Sequence, residues 1–183
     1  MAAIKQDDLI ESVSDAFQYI SYYHPKDYID ALALAYEREE SSAAKDAIAQ
    51  ILTNSKMSAQ GRRPMCQDTG LAVVFVKLGM EVKWSGATMT VDEMIHEGVR
   101  RAYTHPDNKL RASVVKDPAN RRVNSRDNTP AVIHYEVVPG SEIEITVAAK
   151  GGGSENKAKF TTLMPSDSLA DWIVDVVPAM GAG

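Results

Sequence analysis

The chain has 183 residues, a net charge of −5, 44% hydrophobic and 25% charged side chains, and one cysteine. This is the balance of a globular protein large enough to bury a core without staples. The acidic total argues against general nucleic-acid binding, the lone cysteine excludes an internal disulfide framework, and the polar opening through Gln6-Asp7-Asp8 is not a secretory signal.

No apolar stretch reaches the ~18 residues of a membrane span, so no membrane partner is expected and the cytoplasm is the default location. The first third reads as helices. Leu9, Ile10, Val13, Phe17 and Ile20 recur at helical spacing. Pro25 suits a first helical turn, where its missing N–H is harmless, and Tyr28, Ile29, Leu32, Leu34, Ala35 and Tyr36 follow it. Ser41 or Ser42 can cap a third helix carrying Ala44, Ile48, Ile51 and Leu52. A breaker-rich loop, 58–64, closes this helical lobe, expected over residues 1–60.

The character then changes. Leu71 to Leu78 is a short β-branched apolar run, which predicts a mostly buried strand. Val91, Met94, Ile95, Val99 and Ala102 share a helix face. The stretch 104–130 is polar, without period, and rich in arginine and lysine; a loop this long is usually functional or disordered. Residues 131–138 and 143–147 alternate on either side of Pro139-Gly140, which predicts a hairpin. Ser166 or Asp167 can cap a last helix with Leu169, Trp172, Ile173 and Val176. The expectation is an α/β or α+β fold: the N-terminal helical lobe, then a mixed sheet with flanking helices over 61–183.

Three features carry chemistry. Cys66-Gln67-Asp68-Thr69-Gly70 sets a thiol beside an amide, a carboxylate and a hydroxyl. A free cysteine is most often a small buried hydrophobe, but this company suits a site, and loops before buried strands commonly carry one. A lone cysteine does not define a metal site, and His24, His96, His105 and His134 show no ligand spacing. Gly151-Gly152-Gly153-Ser154 after a strand lets backbone N–H groups approach a ligand closely; it lacks the pattern of a phosphate loop. Lys150 before it is a surface cation or an anion contact. The basic loop can grip a dianion through guanidinium groups. RNA is the competing partner, opposed by the acidic total and by Asp107, Asp117 and Asp127.

Together, Cys66-Gln67-Asp68-Thr69-Gly70, Asn128-Thr129-Pro130-Ala131 and Lys150-Gly151-Gly152-Gly153-Ser154-Glu155-Asn156-Lys157 resemble the class I fumarase family, which includes tartrate dehydratase α subunits. The likeness runs in order from about Tyr28 to the end. It implies a hydro-lyase that hydrates fumarate reversibly to (S)-malate, a step of the tricarboxylic acid cycle, through a [4Fe–4S] cluster held by three thiolates. Residue by residue, it implies that Cys66 is a cluster ligand, that Gln67 and Asp68 face the substrate with Asp68 transferring a proton, that Arg111 binds a carboxylate, and that the Gly153 backbone contacts the substrate. The substrate would be a dicarboxylate, fumarate or malate, and a homo-oligomer is expected.

The family uses three cysteines and this chain has one. The resemblance therefore implies an N-terminal piece, an isolated domain or a split subunit, completed by a C-terminal part or a companion β subunit. Alone, it is expected to lack the cluster and the activity. Two alternatives stand beside this reading: a tartrate dehydratase α-type subunit, and a non-catalytic interaction domain of the same fold.

Overall fold

A computed structural model of the chain describes residues 3–151 and 159–180. In chain order the elements are β1 (Ile4–Lys5), α1 (Gln6–Tyr22), α2 (Lys26–Arg38), α3 (Ser42–Gly61), β2 (Leu71–Gly79), β3 (Trp84–Ser85), α4 (Val91–Tyr103), β4 (Val115–Lys116), β5 (Val123–Asn124), β6 (Val132–Val138), β7 (Ile143–Lys150) and α5 (Leu169–Met180). They form two compact units, Met1–Lys150 and Gly151–Gly183. The architecture is a mixed sheet with helices, as expected.

The core of the first unit follows directly from the apolar periodicities. Leu9, Ile10, Val13 and Phe17 of α1 are buried, as are Met94, Ile95, Val99, Ala102 and Tyr103 of α4. Each Leu, Ile, Val, Phe or Met side chain among them contributes on the order of 1.5–3 kcal/mol when fully removed from water. Acidic residues sit in the first turn of both helices, complementing the dipole. Thr90 and Glu93 close a capping box at the start of α4. Gly98 lets the two helices meet, since a Cβ there would lie 2.7 Å from Val13 Cβ.

Both helices belong to one core with the inward face of β2, where Ala72, Val74 and Val76 are buried. β2 lies in the middle of a three-stranded sheet of order β6-β2-β7, parallel to β6 and antiparallel to β7. This corrects the expected hairpin. β6 and β7 do not pair; β2, whose alternate residues are the buried ones, takes the central position and satisfies a ladder on each side. The link 139–142 crosses the end of β2 instead. Gly79 N–H donates to Glu142 O at 2.9 Å, Met80 N–H to Val138 O at 2.9 Å and Glu81 N–H to Gly140 O at 2.8 Å. A Cβ on Gly79 would meet Gly140 O at 2.4 Å, so the crossing needs glycine there.

α2 and α3 form where the pattern places them. Pro25 takes the N-cap position of α2, one residue before the expected first turn. Ser41 caps α3, its Oγ accepting from Ala44 N–H at 3.5 Å. Neither helix buries an apolar side chain: Leu34 and Ile51 remain 44% and 43% exposed. The long loop holds a small antiparallel ladder, β4 with β5. β1 pairs with β3 in parallel.

In the second unit α5 is capped by Ser168 rather than by Ser166 or Asp167. The Ser168 Oγ accepts from Asp171 N–H at 3.2 Å, while the Asp167 carboxylate accepts from Met164 N–H at 2.7 Å. No helix among the described residues is long and apolar enough to cross a membrane.

Candidate active site

α3 ends with Arg62 in the left-handed conformation, φ 48°, which turns the chain out of the helix. Met65 is then held from two sides: its N–H donates to Ser21 O of α1 at 3.0 Å, and its carbonyl accepts from Asn54 Nδ2 of α3 at 2.8 Å. These two bonds place Cys66. The thiol is exposed, and Sγ–H donates to Asp68 O at 3.4 Å.

Asp68 is half-buried and closes a tight turn, with Oδ1 accepting from Gly70 N–H at 3.2 Å. Gly70 takes φ +72°, and a Cβ there would lie 2.9 Å from Ala149 C and from Lys150 C and N. The cysteine run therefore closes directly against the residue that opens the glycine run, and Leu71 is the register partner of Lys150. Two motifs about 80 positions apart thus adjoin at their ends. Gly153 lies outside the described residues.

A cavity of about 170 Å³ opens beside the loop, lined by Cys66, Asp68 and Thr69 on the polar side and by Phe17, Ile20 and Leu110 on the apolar side. It is smaller than the ~300–1,000 Å³ of pockets for drug-sized ligands. Gln67 is exposed and does not line it. Arg111 is also exposed, but its backbone is tied in: Thr69 Oγ1 donates to Arg111 O at 2.5 Å. The structure thus brings Cys66 and Asp68 to one cavity and fixes Arg111 to its wall through the main chain.

Two supporting residues escaped the sequence reading. Tyr103 is fully buried at the end of α4, and its hydroxyl lies 2.7 Å from Thr69 O and 3.2 Å from Gly70 O. Burial raises its pKa, keeping the phenol a donor. Asn128 is also fully buried; its Nδ2 donates to Gly70 O at 2.9 Å. Tyr103 had a signal, since a tyrosine on a buried helix face must find a partner for its O–H. Asn128 had none beyond its place in the resembling run.

The donor set decides how far the site fits a [4Fe–4S] cluster. Such clusters take three or four protein ligands. The sequence has one cysteine, and among the described residues no three His, Cys, Asp or Glu side chains group to hold a metal ion. Cys66, exposed at a cavity mouth, fits one ligand position; this chain's own residues do not fit the whole group.

Comparison with known proteins gives one answer. The family model described as fumarate hydratase (Fumerase) matches residues 10–183. The putative L(+)-tartrate dehydratase subunit alpha of Methanocaldococcus jannaschii is 35% identical over 160 residues, 86% of this chain and 55% of that one. Fumarate hydratase 2 of Leishmania major is 32% identical over 91% of this chain and 29% of its own. The anaerobic class I fumarate hydratase of Escherichia coli is 31% identical over 81% of this chain and 27% of its own. The chain thus spans about half the length of the tartrate dehydratase relative, and under a third of the two fumarate hydratases. With nearly its whole length matched, the chain belongs to the class I fumarate hydratase family.

Proposed function

We propose that this chain is the cysteine-loop portion of a cytoplasmic hydro-lyase that hydrates fumarate reversibly to (S)-malate. The observation that carries the reading is the cavity where Cys66 and Asp68 meet, with Arg111 anchored beside it by Thr69. Its size suits a ligand of a few heavy atoms, as a four-carbon diacid is.

In this reading Cys66 is one thiolate ligand of a [4Fe–4S] cluster whose remaining ligands come from outside these residues, from a C-terminal part or a companion β subunit. When bound, the cluster supplies Lewis acidity toward the substrate hydroxyl. The chain's own residues do the rest. Asp68 exchanges the proton with the carbon next to the C–OH centre, its orientation set by the Gly70 N–H bond to Oδ1. Arg111 grips a carboxylate with its guanidinium fork, Gln67 hydrogen-bonds the substrate, and the Gly153 backbone contacts it. A homo-oligomer is part of the proposal; nucleic acid is not a partner.

A second reading, a tartrate dehydratase α-type subunit, is favoured by the Methanocaldococcus jannaschii relative, which combines 35% identity with 55% coverage of its own length. The test is an anaerobic assay of the native gene product after iron and sulfide reconstitution, offered fumarate, malate and L(+)-tartrate. Turnover of fumarate and malate is expected, tartrate turnover moves the assignment to the second reading, and turnover of none overturns both. The isolated 183-residue chain is expected to be inactive, and malate–fumarate interconversion by it would contradict the shared-ligand account.

A further inference from the structure

We propose that Asn128 is a positioning residue that sets the Arg111 segment in register with the Cys66 loop, with Thr69 as the second stitch along the same seam. The inference rests on the function proposed above and deepens it. The Asn128 side chain is fully buried, so it touches no substrate. Its Nδ2 donates to Gly70 O at 2.9 Å, at the end of the cysteine loop. Its Oδ1 accepts from Ser113 N–H at 2.7 Å and Val114 N–H at 3.3 Å, just beyond Arg111.

One carboxamide thus spans the two segments that carry the candidate chemistry. Only a side chain that both donates and accepts can do this, which excludes aspartate, an acceptor alone when ionised. Asn128 also sits at φ 63°, a conformation that asparagine tolerates better than most residues. Two positions before Ser113, the Arg111 carbonyl accepts from Thr69 Oγ1 at 2.5 Å. A satisfied buried polar network rigidifies and specifies its surroundings. Here it holds the main chain of a carboxylate-gripping arginine against the loop of the proton-transfer aspartate, where a displacement of about 1 Å can cost on the order of a hundredfold in rate.

The test compares Asn128→Asp, Thr69→Val and Thr69→Ser in the native gene product, with kcat, KM and iron content measured after reconstitution. Asn128→Asp keeps the shape and the two accepted bonds but sets a carboxylate oxygen against the Gly70 carbonyl. Asn128→Asp and Thr69→Val are expected to raise KM for the dicarboxylate roughly tenfold or more with iron content unchanged; Thr69→Ser, which keeps the hydroxyl, restores it. A lowered melting temperature with KM unchanged is a merely structural result and overturns the proposal. Should Asn128→Asp not fold, the Thr69 pair decides by the same criterion. A second readout needs no activity: Asn128→Asp is expected to speed hydrogen exchange of the Gly70 amide, bonded to Asp68 Oδ1 at 3.2 Å, and unchanged exchange overturns the inference. If Cys66→Ser keeps full activity while exchange at Gly70 does accelerate in Asn128→Asp, the functional reading fails and the positioning link stands.

Discussion

Asn128 and Gly70 lie 58 positions apart in the chain, yet the Asn128 amide donates to the Gly70 carbonyl at 2.9 Å in a fully buried setting. Tyr103 reaches the same carbonyl from α4 at 3.2 Å, and the neighbouring Thr69 carbonyl at 2.7 Å. The loop that presents Cys66 is therefore braced from behind by two side chains from distant segments, while its front remains open.

Tyr103→Phe keeps the ring and removes the donor. It leaves the Thr69 carbonyl buried without its phenol, at a cost of about 1–3 kcal/mol. A shift of the urea midpoint to lower concentration with an unchanged m-value is the expected result. An unchanged midpoint would mean that the hydroxyl does not brace the loop.

Gly98→Ala sets two effects against each other. Helix propensity favours alanine by ~1 kcal/mol. Against that, the new Cβ would stand 2.7 Å from Val13 Cβ and 2.8 Å from Ile10 O. Overpacking of a core of this kind costs typically 1–3 kcal/mol, so the net effect is destabilising. Thermal denaturation checks it, and a raised Tm would contradict the close approach of α1 and α4.

The capping box gives α4 a pH dependence. Hydrogen bonds from the Thr90 backbone and side chain hold Glu93 below its ordinary value of 4.5. The folded state thus favours the carboxylate over the acid. That stabilisation is complete above the ordinary value and is lost as pH falls through the lowered one. Glu93→Gln is expected to flatten this part of the stability profile below pH 4.5, and an identical slope in wild type and variant would refute the assignment. Thr90→Ala should cost about 1 kcal/mol through the lost cap at neutral pH.

Cys66 is exposed. In the 183-residue chain it is expected to react fully with an aromatic disulfide reagent without denaturant. A thiol that reacts only after unfolding would place Cys66 inside the core and remove it from the cavity mouth.

The sequence reading and the structure agree where periodicity and burial coincide. The stripes on α1 and α4 are legible because the same residues that repeat are the ones buried; the apolar run of β2 does form a strand, but alternate residues are buried and Phe75 is 48% exposed. The sheet order is not legible that way. Alternating strands joined by Pro139-Gly140 read locally as a hairpin, and only the competition for the central place, won by β2 with Ala72, Val74 and Val76 buried, separates them. The α2 and α3 stripes form helices without supplying the core. At the site, Cys66 and Asp68 stand out chemically. Tyr103 and Asn128 do not, because their work is done by hydrogen bonds to main-chain carbonyls at positions 69 and 70, which leave no pattern in the spacing of residue types.

The central claim is that Cys66 binds iron in a dicarboxylate hydro-lyase. Its most direct test is the iron and sulfide content of the anaerobically reconstituted native gene product, wild type against Cys66→Ser. The account predicts a loss of bound iron together with malate–fumarate interconversion in the variant. Wild-type iron content and turnover in Cys66→Ser would contradict it.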